Sequence, residues 1–202
     1  NKDCFRYLAG EVEITREEFS LLLALYDAQI RYMDGQLARL FDYLKGQGLW
    51  ENTLIMVTSD HGEYFGEQEM FGHSFLAGFP TLDVPLIAVN LPDYKPGARV
   101  KELASLVDLF PTFLDVLDVN SSYGNRLPGK SLMRLKQGRA SHADSYPSPL
   151  HLGMLRQYSE KTAEKYYRQH HVIWEKGYEY RWSTKGLREL YYISDDPGET
   201  RN

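Results

Sequence analysis

Asp60 and His61 stand side by side, followed by Gly62 and Glu63, at the point where an apolar run gives way to polar sequence. A carboxylate offers hard anionic oxygen and an imidazole offers a softer nitrogen, and together they suit a divalent cation. Gly62 lets the backbone turn sharply straight after the pair. The same two residues also read as a strand-end cap and a loop histidine, so the pair alone leaves metal binding open. Further along the loop, His73 offers a second imidazole, able to donate a hydrogen bond and to carry charge near neutral pH. It reads equally as a surface histidine bonded within its own loop. Glu63, Glu67 and Glu69 read as solvated acids, with Glu63 near enough to brace a ligand from behind.

These residues need a scaffold, and the flanking sequence describes one. Leu54, Ile55, Met56 and Val57 form a short continuous apolar run, which predicts a strand covered on both faces, as in a parallel sheet. Ligands in open α/β sheets bind beyond the carboxyl ends of strands, which is where Asp60 falls. The loop from Glu63 to Phe79, punctuated by Gly66, Gly72 and Gly78, predicts a wall of the site. Upstream, Thr15 and Glu18 form a capping box, and Phe19, Leu22, Leu23, Tyr26, Ile30, Met33, Leu37, Leu40, Phe41 and Leu44 recur at helical steps. The spacing predicts a helix from Arg16 to Lys45 that packs on the sheet, with Asp27 and Asp34 as structural acids. Val84 to Val89 predicts a second strand, with Pro85 tolerated near its start. Asp108 predicts an N-cap, Pro111 a first-turn residue, and Phe110, Phe113, Leu114 and Leu117 a buried helical face.

Beyond Asn120 the composition shifts. Ser121 to Gly129 reads as a loop, and Ser141 to Pro149, with its prolines and serines, as a surface connection. His142 and His151 lack partners at ligand spacing. Val172–Trp174, Tyr178–Trp182 and Leu190–Ile193 predict a three-stranded antiparallel meander. His170 and His171 precede it, and neighbours on a strand point to opposite faces, which argues against a shared metal. The bulk of the chain sets further bounds. Its 202 residues, 43% hydrophobic, suffice for one ordinary core. A formal charge of −5 gives no support for nucleic-acid binding. No apolar run is long enough for a membrane span, and a single cysteine excludes an internal disulfide framework. Asn1 is not an initiator methionine, and the chain is read as a piece of a longer one.

An ordered series of short motifs narrows the reading. Tyr26-Asp27-Ala28, Tyr32-Met33-Asp34, Gly48-Leu49-Trp50-Glu51-Asn52-Thr53 and Thr58-Ser59-Asp60-His61-Gly62-Glu63 are followed by Gly72-His73, Asp83-Val84-Pro85-Leu86 and Asp108-Leu109-Phe110-Pro111-Thr112. Glu189-Leu190-Tyr191 and Asp195-Asp196-Pro197-Gly198-Glu199-Thr200 close the series. In this order they resemble the C-terminal half of the sulfatases, of the alkaline-phosphatase-like superfamily. The resemblance implies an α/β sandwich over residues 1–120 and a small antiparallel C-terminal subdomain over 121–202. It implies one divalent metal held by Asp60, His61 and acids from a missing N-terminal half. Calcium comes first by family habit, and the imidazole keeps manganese or zinc open. His73 stands where a lysine or histidine of the family reaches the sulfuryl or phosphoryl oxygens, a catalytic and substrate-binding role. The family nucleophile is a formylglycine made from Cys or Ser in Cys/Ser-x-Pro-x-Arg. Cys4-Phe5-Arg6-Tyr7-Leu8 lacks that proline and arginine, so Cys4 reads as a small half-buried hydrophobe, and the formylglycine is expected in the missing half. The implied activity is hydrolysis of a sulfate ester on a small molecule or glycan. Phosphodiester or phosphonate monoester hydrolysis, or phospho-headgroup transfer, is the alternative on the same scaffold. A non-catalytic fragment is the third reading.

Overall fold

The computed structural model of the chain describes residues 2–119, 126–135 and 140–197. Helix α1 (Lys2–Leu8) buries Phe5 and Leu8. Thr15 then opens α2 (Arg16–Gly46): its hydroxyl accepts from the Glu18 N–H at 3.2 Å, and the Glu18 carboxylate accepts from the Thr15 N–H at 2.8 Å. Those reciprocal bonds satisfy donors that every helix start leaves open, and they hold the Glu18 carboxyl below its ordinary pKa. The predicted stripe is present as a helical face, but none of its residues is fully buried. Phe19 meets Phe71 at 5.9 Å, Tyr26 meets Phe65 at 5.2 Å and Phe41 meets Trp50 at 5.4 Å, while Ile30, Met33 and Leu40 face outward. Periodicity reports which face is apolar; how much of it is covered depends on what lies opposite.

Strand β1 (Ile55–Thr58) leads into a hairpin of β2 (Tyr64–Phe65) and β3 (Phe71–Gly72), after which the single turn α3 (Phe79–Leu82) delivers β4 (Leu86–Val89). β1 and β4 pair antiparallel, with Met56 opposite Ala88 and Val57 opposite Ile87. This corrects the parallel reading of the apolar run. A continuous run speaks of two apolar faces and says nothing of the neighbouring strand's direction, and here the faces are only half covered. Helix α4 (Leu109–Val116) follows a 3-10 turn at Leu106–Asp108. Asp108 precedes α4, but its side chain does not cap it. That preceding turn puts Asp108 at φ −81°, ψ −17° instead of the extended backbone a capping side chain uses. Its fully buried carboxylate instead accepts from the Ser105 and Lys130 N–H groups, each at 2.8 Å. Thr112 continues the stitching, donating to the Asp108 carbonyl at 2.6 Å and accepting from the Leu132 N–H at 2.8 Å. The predicted face of α4 is covered in part: Phe110 and Leu117 remain exposed.

The C-terminal sheet has four strands: β5 (Ser141–Ser145), then, after helices α5 (Pro149–Arg156) and α6 (Glu160–Tyr166), β6 (His170–Glu175), β7 (Tyr178–Ser183) and β8 (Arg188–Tyr192). The meander is as predicted. The extra edge strand is a correction, since Ser141–Ser145 reads as a surface connection. Its Ser-His-Ala-Asp-Ser sequence has little intrinsic strand preference, and pairing with His170–Trp174 imposes the conformation. The expected loop at 121–129 falls largely on 121–125, and the last residues of the closing motif on 198–200, all outside the described residues. The main buried cluster joins Phe5, Leu8, Tyr64, Met70, Phe75 and Leu76 to Leu152, Leu155, Ala163 and Tyr166, drawing on both sides of residue 120. Each large apolar side chain so buried contributes about 1.5–3 kcal/mol before entropy is counted.

His170 is an exception to this apolar interior. It is 1% exposed, and neither ring nitrogen has a hydrogen-bond partner among the described residues. Burial first, and then the charges of Arg168 and Arg181 and the neighbouring His171, push its pKa down to about 4. The folded chain holds it neutral, whereas an unfolded histidine titrates near 6.5. Between those values the unfolded state binds the extra proton, so stability is full above about pH 6.5 and is lost as the pH falls toward 4. Urea unfolding at pH 7 and pH 5 checks this: His170→Leu is expected to remove about 2 kcal/mol of acid sensitivity across that interval.

Candidate active site

The turn after β1 is fastened at several points. The Ser59 hydroxyl donates to the His61 carbonyl at 2.7 Å, and the His61 N–H donates to Asp60 Oδ1 at 3.1 Å. The Gly62 N–H donates to the Thr81 carbonyl at 2.9 Å, which draws the turn onto α3. A Cβ at position 62 would lie 2.2 Å from the Pro80 carbonyl oxygen. Only glycine fits there.

Fastened in this way, the turn presents its two polar side chains to solvent, Asp60 at 88% and His61 at 40% side-chain exposure. His61 Nδ1 lies 2.9 Å from the Gly62 carbonyl, which can only accept. Nδ1 therefore carries the proton, and Nε2 keeps its lone pair for another partner. Asp60 Oδ2 is 3.8 Å from that Nε2. Two donors at this separation can share one ion at roughly 2.0–2.5 Å from each. The donor set therefore fits a divalent cation of the kind the sequence implies.

His73 reaches the same place from the hairpin. Tyr64 pairs with Gly72, so Glu63 and His73 flank the hairpin's open end. Glu63 Oε1 accepts from His73 Nδ1 at 2.7 Å, which again leaves Nε2 as the outward nitrogen. The His73 ring stacks on His61 with centroids 3.9 Å apart and planes at 30°. One ligand atom each from His61, Glu63 and His73 lies within 4.8 Å of the others, and this is the one such trio among the described residues. The structure thus brings together His61 and His73, which the sequence separates, and leaves Asp60 beside the trio. The bond between Glu63 and His73 is legible only through the hairpin pairing, which the sequence does not announce. Beyond Gly66 its apex turns through Gln68 and Glu69 at positive φ (52° and 57°), residues that carry no turn signal of their own.

Other candidates fall away. Cys4 donates to the Phe71 carbonyl at 3.1 Å, and burial pushes its thiol up to about 11, which keeps it protonated and unreactive. His151 packs against Phe5 at 5.9 Å and Phe75 at 6.4 Å. His171 bonds Asp144 at 2.7 Å on the face opposite His170. His142 is exposed on the edge strand.

A profile of the sulfatases matches residues 6–119. A sulfatase of Formosa agariphila is 26% identical over 192 residues, covering 95% of this chain and 34% of its own. Arylsulfatase K of Xenopus laevis is 28% identical, covering 93% and 34% respectively. Among solved structures, the phosphonate monoester hydrolase of Agrobacterium radiobacter superposes with a TM-score of 0.70 at 26% identity, covering 94% of this chain and 38% of that one. The architecture is accordingly the α/β fold of the alkaline-phosphatase-like superfamily. Within it, the chain belongs to the sulfatase family. It spans about a third of the length of the curated relatives it matches.

Gly62→Ala tests the close approach on which this geometry stands. The added methyl must push the turn off α3, with an expected loss of about 2 kcal/mol in denaturant unfolding. Wild-type stability in this variant would show that the turn can shift without cost.

Proposed function

We propose that this chain contributes the cation-holding and anion-stabilising residues of a sulfuric ester hydrolase. One observation carries the reading: Asp60 Oδ2 and His61 Nε2 lie 3.8 Å apart at the end of β1, with His73 stacked on His61. Asp60 and His61 would hold one divalent cation together with ligands from outside these 202 residues. Calcium is the first expectation, and manganese or zinc also suits the imidazole. When bound, such an ion polarises an ester oxygen and favours the ionised form of a nucleophile.

The chain's own residues supply the remaining roles. Glu63 fixes the His73 ring through Nδ1 and turns Nε2 outward. In its protonated form His73 donates from Nε2 to an oxygen of the sulfuryl group, stabilising charge that grows in the transition state. His61 keeps its tautomer through the Gly62 carbonyl. The nucleophile, a formylglycine, is assigned to sequence outside this chain, because Cys4 lies outside the required motif and is held as a thiol, and no serine stands in that motif either. The substrate class is a small-molecule or glycan sulfate ester.

The second reading, phosphonate monoester or phosphodiester hydrolysis, or phospho-headgroup transfer, draws support from the Agrobacterium radiobacter likeness. Turnover of an aryl sulfate against an aryl phosphonate separates the two. The third reading, a non-catalytic fragment, applies to the 202 residues in isolation, which are expected to hydrolyse neither ester. Sulfate release by these residues alone would overturn the assignment of the nucleophile elsewhere.

In the enzyme carrying this chain, Asp60→Ala is expected to abolish ester hydrolysis and to lower the bound metal measured by elemental analysis; unchanged turnover would remove the metal assignment. His73→Ala is expected to retain the metal and lower kcat by roughly 100-fold or more. Loss of metal in His73→Ala would instead make His73 a ligand, as the His61–Glu63–His73 trio also permits.

A further inference from the structure

The hairpin that carries Glu63 and His73 has only two paired residues in each strand. A two-stranded hairpin is marginal in water even when longer, so its shape must be imposed from outside. Its apex is also strained. Gln68 and Glu69 both hold left-handed backbone, at φ 52° and 57°, a conformation that costs non-glycine residues about 1 kcal/mol or more.

The anchoring contact comes from the C-terminal sheet. Arg181, on β7, donates through Nη1 to Gln68 Oε1 at 3.1 Å. That guanidinium is fully buried. Glu179 lies 3.3 Å from it and Glu189 3.6 Å, and the Tyr191 ring sits 5.1 Å beneath. A cation gripped on so many sides cannot follow a moving loop, so the loop must come to it. Nearby, the Tyr166 hydroxyl contacts Met70 Sδ at 3.5 Å, and the Gly66 N–H donates to the Met70 carbonyl at 2.9 Å, closing the apex.

We propose that Gln68, anchored on Arg181, is a positioning residue for His73. The anchor fixes the apex, the paired strands carry that constraint to the open end, and there Glu63 and His73 meet. The C-terminal sheet thereby sets the placement of a side chain at the active site. The effect on turnover rests on the ester-hydrolase reading above; the anchoring itself does not.

Gln68→Ala and Gln68→Glu in the enzyme carrying this chain test the proposal, since glutamate keeps the acceptor that Arg181 needs. Gln68→Ala is expected to lower kcat for an aryl sulfate by about 10- to 100-fold with KM nearly unchanged, as sub-ångström misplacement does. Deuterium uptake in peptides covering 64–73 should rise in parallel. Gln68→Glu should restore both readouts to near wild type, which a general loss of stability would not produce. Wild-type kcat in Gln68→Ala, or equal damage in Gln68→Glu, overturns the positioning role. Should the wild-type enzyme hydrolyse neither aryl sulfate nor aryl phosphonate, the ester reading fails separately and uptake alone decides. Uptake raised in Gln68→Ala and restored in Gln68→Glu then supports the anchor; unchanged uptake overturns it.

Discussion

The Gly62 amide and the Thr81 carbonyl hold two backbones so close that no side chain fits between them. The placement of Asp60 and His61 follows from that approach. It bends the chain straight after β1, so that Asp60 and His61 emerge at the strand's end, and it fixes where β2 must begin. Because Gly62 is drawn onto α3, its own carbonyl is positioned to accept from His61 Nδ1. A backbone contact therefore selects a side-chain tautomer, and the tautomer leaves a lone pair on Nε2, 3.8 Å from the neighbouring carboxylate oxygen. Hydrogen bonds of this kind contribute about 1 kcal/mol each to stability, but their larger consequence is geometric.

The hairpin adds a second imidazole by a different route. Glu63 and His73 are distant in sequence terms but adjacent across a two-residue ladder. The stack of His73 on His61 joins the two routes, with one ring held by a backbone carbonyl and the other by a carboxylate. The C-terminal sheet takes part through Arg181, whose charge is buried with Glu179 and Glu189 beside it. Such a group is expensive to desolvate, and its burial against two carboxylates suits it to holding one loop in one place.

Legibility from sequence followed the range of the interactions. The capping box at Thr15 and Glu18, the length of α2 and the meander of β6, β7 and β8 rest on neighbours within a few residues, and their signals stand in the chain. Asp60 and His61, adjacent in the chain, are read as a candidate pair for the same reason. β5 is not legible, because Ser141–Ser145 becomes a strand through pairing with His170–Trp174 and not through its own residues. Asp108 reads as an N-cap from sequence, whereas its carboxylate is held partly by the Lys130 N–H, which lies far along the chain. The Glu63–His73 bond and the Arg181–Gln68 contact are tertiary in the same sense. No periodicity encodes them. The antiparallel pairing of β4 with β1 is not legible, because an apolar run carries no directional information.

Helix α2 has a consequence for handling the chain. Its 31 residues hold Leu21, Leu25, Tyr32 and Tyr43 largely in water, and Ile87 on β4 is exposed as well. Surface of that kind is adhesive. In dilute buffer the nearest oily neighbours available to a lone 202-residue chain are other copies of itself. Protein concentration then becomes a variable in any melting curve, and detergent or a cosolvent that wets hydrocarbon would shift the apparent transition.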